Sequence, residues 1–500
     1  MLDRANLGQL AQVEATQTLL DVVEELNAAT TASQPGRGPL YQRLARSVAA
    51  AVDRGILPRG TRLPAERQLA AALGVSRGTV VAAYDDLVAE GVVERLRGSG
   101  TFVLGPDTLG LPPGREGSTL VHRLVDRSSD GPLGHEIVDL SISVLGSAAG
   151  LPDVQVSTAD LQATVPDTGY TPWGLPGLRH AIAQHVTGWG LPTRPEQVVV
   201  ATGAQQALSA AASCWVRPGD FVAVDDPTYP GVIAAFTQAG ARLLPMAVDD
   251  GGVRPDEVAR ALALRPALVY LQSGPHSPTG QALADPRRRA IAELVTAARV
   301  PLVEDAALHD LAWRPPPPPI AAWCGDAAVA VLGSLSKVYW GGLRVGFVRA
   351  PEPVALRFVR VKATHDLGSS AVSQLVAERL LAGSAPGGFL DWRRADLQAR
   401  YDVLAAGLHR HLPDWEWTSP AGGMSIWARL PGHGDAAAFA QVALRHGVAV
   451  ATQGALSCSG AHGDRLRISF SPEPEALEEG VRRLAAAWGA IAAAAGPPAH

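Results

Sequence analysis

The sequence predicts an α/β protein in two parts: a small helix-rich N-terminal unit and a large domain built on a mostly parallel sheet. Three observations carry this. The chain has 500 residues, too many for one ordinary core. Residues 37–104 pair a helical apolar period with a strand–turn–strand pattern. From about 136 to 490, short β-branched runs alternate with helical stretches, as in a parallel sheet covered by helices.

Residues 1–36 carry a weak helical pattern (Leu19, Leu20, Val23, Leu26) that ends in Gln34-Pro35-Gly36, an extension followed by a linker. In the 37–104 unit, Leu40, Leu44, Val48 and Val52 mark one apolar helix stripe. A second helix over about 65–73 has Pro64 at its start and Gly74 just past its end. Ser76 caps a third helix over 77–90, whose buried face holds Val80, Tyr84, Leu87 and Val88. The second and third helices, joined through Gly74-Val75, form a helix-turn-helix, with the third as recognition helix. Residues 92–96, the turn Arg97-Gly98-Ser99-Gly100 and residues 101–103 read as a wing. Residues 105–135 are rich in Gly, Pro, Ser and charge and read as an interdomain linker. Beyond it, strands are expected over 197–200, 221–224, 267–270, 300–303 and 328–331. The five prolines at 315–319 read as a stiff surface loop.

Net charge is −5, so bulk charge does not make the chain a polyanion binder. Residues 37–104, however, hold ten arginines against six carboxylates, a local basic excess suited to phosphate. Cys214, Cys324 and Cys458 are far apart, lack metal-ligand spacing and read as small hydrophobes in a reducing cytosol. No metal site is expected. No signal-like segment and no apolar run of the ~20 residues needed for a membrane span is present, so a soluble, cytoplasmic protein is expected. Lysine occurs twice, at Lys337 and Lys362, among 43 basic residues. A chain that otherwise uses arginine retains lysine where its chemistry differs, above all in Schiff-base formation.

Ser76, Arg77 and Thr79 stand at the start of the third helix, where N–H groups, hydroxyls and a guanidinium meet phosphates and base edges. Small helical hairpins also serve as protein-interaction modules. The run Leu63-Pro64-Ala65-Glu66-Arg67, then Gly74-Val75-Ser76-Arg77-Gly78-Thr79-Val80, then Gly98-Ser99-Gly100-Thr101, resembles the GntR family of winged-helix regulators. That resemblance implies double-stranded DNA as partner, contacted by Arg67, Ser76, Arg77, Gly78, Thr79 and Gly98.

In the large domain, Gly333-Ser334-Leu335-Ser336-Lys337 follows an apolar strand and is itself followed by Gly341-Gly342-Leu343-Arg344. This places a lysine beside hydroxyls and a guanidinium able to bond a phosphate. Ala201-Thr202-Gly203-Ala204-Gln205 reads as strand, glycine turn and helix start, so the N–H groups of Ala204 and Gln205 face an anion. Asp305 at a strand end is placed to pair with a protonated pyridine nitrogen, and Tyr229 to stack on a ring. His276 reads as structural. In order, these blocks resemble the fold-type I PLP-dependent enzymes of the aspartate aminotransferase group. Behind a GntR-type unit, the arrangement resembles the MocR subfamily. The resemblance implies a Schiff base between Lys337 and PLP, with Asp305 on the ring nitrogen and Tyr229 on the ring face. It implies phosphate contacts from Ala204, Gln205, Ser334, Ser336 and Arg344, with Tyr170 supplied by a partner subunit, and Arg467 gripping an effector carboxylate. It further implies a head-to-tail homodimer and a small amino compound as effector.

Two positions depart from the group. Ser277 stands where Asn usually precedes Pro-Thr-Gly, and Ala307 and Leu308 where Tyr usually follows the Asp. Both missing groups address the PLP phenolic oxygen, so cofactor binding is expected without efficient transamination. Three functions remain: a PLP-dependent transcriptional regulator, a working aminotransferase with a DNA-binding appendage, and a regulator whose large domain is only a dimerisation scaffold.

Overall fold

The computed structural model describes residues 40–53, 63–73, 75–89, 92–96, 100–103, 137–145, 150–164, 168–325, 327–383 and 388–494. The N-terminal extension and the 105–135 linker lie outside these. The chain divides into two compact units, Met1–Gly114 and Arg115–His500.

In the first unit, α1 (Leu40–Asp53), α2 (Glu66–Leu73) and α3 (Arg77–Ala89) precede an antiparallel hairpin of β1 (Val93–Leu96) and β2 (Gly100–Val103). The core joins Leu44 and Val48 of α1, Leu69 of α2, Val80, Tyr84 and Leu87 of α3, and Val93 and Val103 of the hairpin. Helical spacing puts these side chains on one face. Leu40 and Val52, expected on the α1 stripe, have side chains outside the described set. Val88 is a correction: it is 39% exposed, because the residue after Leu87 turns a further 100° off the buried stripe. The Tyr84 hydroxyl donates to Pro64 O at 2.9 Å, and Leu63 N donates to Thr101 O at 2.8 Å, tying the helix pair to the hairpin.

The second unit opens with β3 (Val138–Asp139), a short helix (Thr158–Thr164) and α4 (Pro176–Gly188). Then follow β4 (Val198–Ala201), α5 (Ala204–Trp215), β5 (Phe221–Asp226), α6 (Pro230–Gln238), β6 (Arg242–Asp249), β7 (Gly252–Val253), α7 (Pro255–Ala263), β8 (Leu268–Gln272), α8 (Asp285–Ala298), β9 (Leu302–Asp305), β10 (Val329–Ser334), α9 (Leu335–Val338), β11 (Gly346–Arg349), α10 (Glu352–His365), α11 (Ala371–Ala382) and α12 (Phe389–His411). Its eight-stranded sheet has the order β4-β11-β10-β9-β8-β5-β6-β7. The inner pairs β10/β9, β9/β8, β8/β5 and β5/β6 are parallel, while β11 runs antiparallel to both its neighbours. Alternate residues feed two cores. Val199, Val222, Leu268 and Val303 face one helix layer, and Val198, Ala223, Val269 and Leu302 the other.

The strands run further towards their carboxyl ends than the apolar runs suggest. β5 takes in Asp225 and Asp226, β8 Gln272, β9 Asp305 and β10 Ser334. Ladder pairing continues after the side chains turn polar, with both neighbours at Asp305 and with one at Asp225, Asp226, Gln272 and Ser334, so these groups are held at one edge of the sheet. The proline run is a second correction. Pro319 is buried and caps a short 3-10 turn, and Pro318 O accepts from Arg288, so the segment packs on the domain.

The chain closes with a three-stranded antiparallel sheet of β12 (Ser425–Arg429), β15 (Arg465–Ser469) and β14 (Ala451–Thr452), covered by α13 (Ala436–Arg445) and α14 (Pro474–Ala494). β3 pairs with β13 (Val448–Ala449), which carries residues 139–145 towards Lys337 and Arg467. Cys214 and Cys324 are buried; Cys458 is only half-buried. Among the described residues no helix is long and apolar enough to cross a membrane.

Candidate functional site

β9 ends in Asp305 and β10 runs directly into α9, so Asp305 and Lys337 meet above the carboxyl edge of the sheet. Asp305 is buried; one carboxylate oxygen accepts from the Tyr270 hydroxyl at 2.7 Å and the other from Ala307 N at 2.8 Å. Burial pushes its pKa up, against those two hydrogen bonds. A bond to a charged acceptor is worth about 1.5–3 kcal/mol, so Tyr270 fixes the carboxylate orientation.

Lys337 Nζ donates to Ser143 O at 2.9 Å. Its amine is pushed down to about 8, first by burial and then by Arg467 and Arg344, with Asp305 opposing. At neutral pH a useful fraction of this amine is already an unprotonated nucleophile. Arg467, in the middle of β15, is buried; one terminal nitrogen donates to Ser141 O, and its Nε has no partner among the described residues. Burial lowers it to about 10, opposed by Tyr229 and Asp139. The Tyr229 phenol is raised by burial and by Asp305, against Arg467 and Arg344. Asp305, Arg344 and Arg467 thus lie near enough to bias both Lys337 and Tyr229.

The glycine turn sits beside them. Gly203 has φ +83° and ends the approach to α5, leaving the N–H groups of Ala204 and Gln205 at the helix start with no side-chain cap. The Arg344 guanidinium donates to Thr202 O at 2.8 Å. A Cβ on Gly346 would lie 2.9 Å from Ala204 N, so this neighbour must be glycine for the backbone to close under the turn. Gln205 Oε1 is buried without a partner among the described residues. An uncapped helix N-terminus with a guanidinium beside it is an anion cradle. Ser334 and Ser336 are buried nearby; Ser336 Oγ makes only a long 3.5 Å contact with Val345 O. A cradle, a depressed lysine and a buried carboxylate fit a phosphorylated pyridine aldehyde.

Tyr170 is different. It is 66% exposed and does not join these groups in its own chain. His276 is buried, with Nδ1 3.0 Å from Thr279 Oγ1 and Nε2 3.2 Å from Asp225, a structural placement. Around Ser277, the Gln272 amide bonds both N and O of the residue, at 2.9 and 3.0 Å, so the loop is fixed by backbone. Ala307 and Leu308 bring no hydroxyl. Tyr270, Thr202 and the carbonyls of Ser141 and Ser143 are the participants sequence reasoning missed. Tyr270 lies on a strand two residues short of the polar edge, and only the pairing of β8 with β9 brings it to Asp305.

In the first unit, Arg67, Ser76, Arg77 and Gly78 are exposed and Thr79 is half-buried. Ser76 Oγ accepts from Thr79 N at 3.1 Å, the expected N-cap. Arg77 makes a loose 3.7 Å pair with Glu66, too exposed to hold it from another anion. Gly98 lies outside the described residues.

Residues 135–484 match the family described as aminotransferase class I and II, and residues 40–103 match bacterial regulatory proteins of the gntR family. The chain is 31% identical to the HTH-type pyridoxine biosynthesis transcriptional regulator PdxR of Corynebacterium glutamicum, over 69% of this chain and 73% of that one. It is 29% identical to the probable rhizopine catabolism regulatory protein MocR of Rhizobium meliloti, over 75% and 78%. The solved α-aminoadipate aminotransferase LysN of Thermus thermophilus, complexed with N-(5'-phosphopyridoxyl)-L-leucine, superposes with TM-score 0.65 and 27% identity, over 72% of this chain and 94% of that one.

Proposed function

The chain belongs to the aminotransferase class I and II family, with a gntR-family domain ahead of it in the MocR manner, and from that premise we propose that it is a transcriptional regulator that senses an amino compound through PLP. The observation that carries the reading is an exposed recognition-helix start in the same chain as a site fit for PLP that has serine in place of an amide at Ser277 and no hydroxyl at Ala307 or Leu308.

PLP is the cofactor of this fold. Its aldehyde, when bound, condenses with primary amines and its ring withdraws electrons. Lys337 supplies the tethering amine. Asp305, steadied by Tyr270, supports a charged ring nitrogen. Tyr229 would stack on the ring, and Ala204, Gln205, Ser334, Ser336 and Arg344 would hold the phosphate, with Tyr170 serving the partner in a head-to-tail homodimer. Arg467 takes the carboxylate of the effector. Ala307 and Leu308 would offer the phenolic oxygen no hydroxyl, which favours occupancy over turnover as the output. Effector binding then shifts the affinity of Arg67, Ser76, Arg77, Gly78, Thr79 and Gly98 for operator DNA, a coupling between two sites. A working aminotransferase would instead show steady amino transfer to a keto acid.

The test is recovery of genomic DNA fragments by the purified full-length protein, with and without PLP. The wild-type set should change with PLP and the Lys337→Ala set should not. An identical PLP response in the two proteins would sink the reading.

A further inference from the structure

The second of the two lysines has no part in the cofactor site described above. Lys362 on α10 is 2% exposed. Its ammonium donates to Asp366 Oδ1 at 3.0 Å, to Asp366 Oδ2 at 2.7 Å and to Ser369 Oγ at 3.0 Å. Such a small space with converging acceptors suits a compact tetrahedral cation; the planar arginine fork, which this chain uses elsewhere, does not match it.

Both acceptors reach the phosphate turn. Thr202 Oγ1 donates to Asp366 Oδ2 at 3.3 Å and shares a hydrogen bond with Ser369 Oγ at 3.0 Å. Thr202 O is the group that accepts from Arg344, and Gly203 follows it. On its other side the same loop is braced. Asp366 Oδ1 accepts from Gly368 N at 3.0 Å, and Gly368 has φ +137°. A Cβ there would lie 2.8 Å from Thr171 O, so the loop presses on the segment that carries Tyr170. Gln374 completes the brace, donating to Ser369 O at 2.8 Å and accepting from Leu175 N at 2.7 Å.

We propose that Lys362 is a positioning residue that locks the phosphate-binding turn at Thr202-Gly203 to the segment bearing Tyr170, through Asp366 and Ser369. The inference rests on the PLP reading and deepens it. Without the ammonium, Asp366 and Ser369 lose their shared donor and Thr202 loses its fixed acceptors. The phosphate turn loosens while Asp305, Lys337 and Tyr229 stay in place. The effect falls on the phosphate and spares the ring.

Comparing PLP with pyridoxal, which has the same ring and aldehyde but no phosphate, isolates that effect. Lys362→Met in the full-length protein should weaken PLP binding, followed by absorbance, about tenfold or more and leave pyridoxal binding within about twofold. Lys362→Arg should not restore PLP affinity. Thr202→Val removes only the hydroxyl that joins the network to the turn, and should give the same selective loss at smaller size, deciding the matter if Lys362→Met does not fold. Equal losses for PLP and pyridoxal, or unchanged PLP binding in Thr202→Val, would overturn the role of Lys362. A wild-type protein that binds neither compound would overturn the cofactor reading beneath it.

Discussion

At the start of α3, polar groups stand in solvent within one short stretch: Ser76, Arg77, Gly78 and Thr79. Around Lys337, Asp305, Tyr270, Ser334 and Arg467 are buried and gathered from β9, β8, β10 and β15, beside the 139–145 segment, with the exposed Arg344 at their edge. The first site is contiguous and screened by water. The second shifts the proton affinity of Asp305, Lys337, Tyr229, Tyr270 and Arg467, because burial weakens screening and each charge feels the others. A DNA-reading face must meet its ligand from outside; a site that captures a small aldehyde gains reactivity from a dry enclosure.

The largest effect that would sharpen this contrast is the pH dependence of PLP capture. Lys337 titrates at about 8, and only its neutral amine attacks. The capture rate should rise about tenfold per pH unit from 6 towards 8 and level off above it. Stopped-flow absorbance measures this. Arg467→Leu should move the inflection upward, since Arg467 lowers the lysine; an inflection near the ordinary lysine value in the wild-type protein would break the account of a buried, mutually coupled site.

The buried region also governs acid stability. His309 is buried beside Trp189, at 4.4 Å between ring centroids, and its pKa is lowered to about 4, first by burial. Between the unfolded value of about 6.5 and 4, the unfolded chain binds a proton that the folded chain does not. The contribution of His309 is therefore complete above 6.5 and falls by about 3 kcal/mol as pH drops to 4. Urea unfolding at the two pH values should show this loss, and His309→Phe should remove most of it. Neighbouring Asp310, held near 2 by His185 and its hydrogen bonds against burial, stays ionised through that window.

The smallest effect belongs to the exposed region. Arg77→Ala should weaken binding to recovered operator fragments by about 1–3 kcal/mol. The melting temperature of the first unit should stay nearly unchanged, because the 3.7 Å pair with Glu66 is solvent-screened. A large loss of stability would show that Arg77 is structural and would erase the contrast.

Legibility in the sequence followed the same division. The helix-turn-helix and its hairpin were readable because capping, apolar period and glycine turns are local. The missed Val88 came from extending a stripe one position too far. In the large domain, Asp305, Lys337, Arg344 and Arg467 were readable from their blocks. Tyr270 was not, because its role depends on β8 lying beside β9.

The sequence by itself determined the two-part order, the alternating strands and helices, the glycine turn before α5 and the scarcity of lysine. Tertiary structure decided what those features face. It ran the strands past their apolar runs, turned Ser141 and Ser143 carbonyls onto Arg467 and Lys337, and set Lys362 against Asp366 and Ser369 under the phosphate turn. Local periodicity encodes which residues are buried; only the packing of distant segments fixes which buried polar groups must satisfy one another.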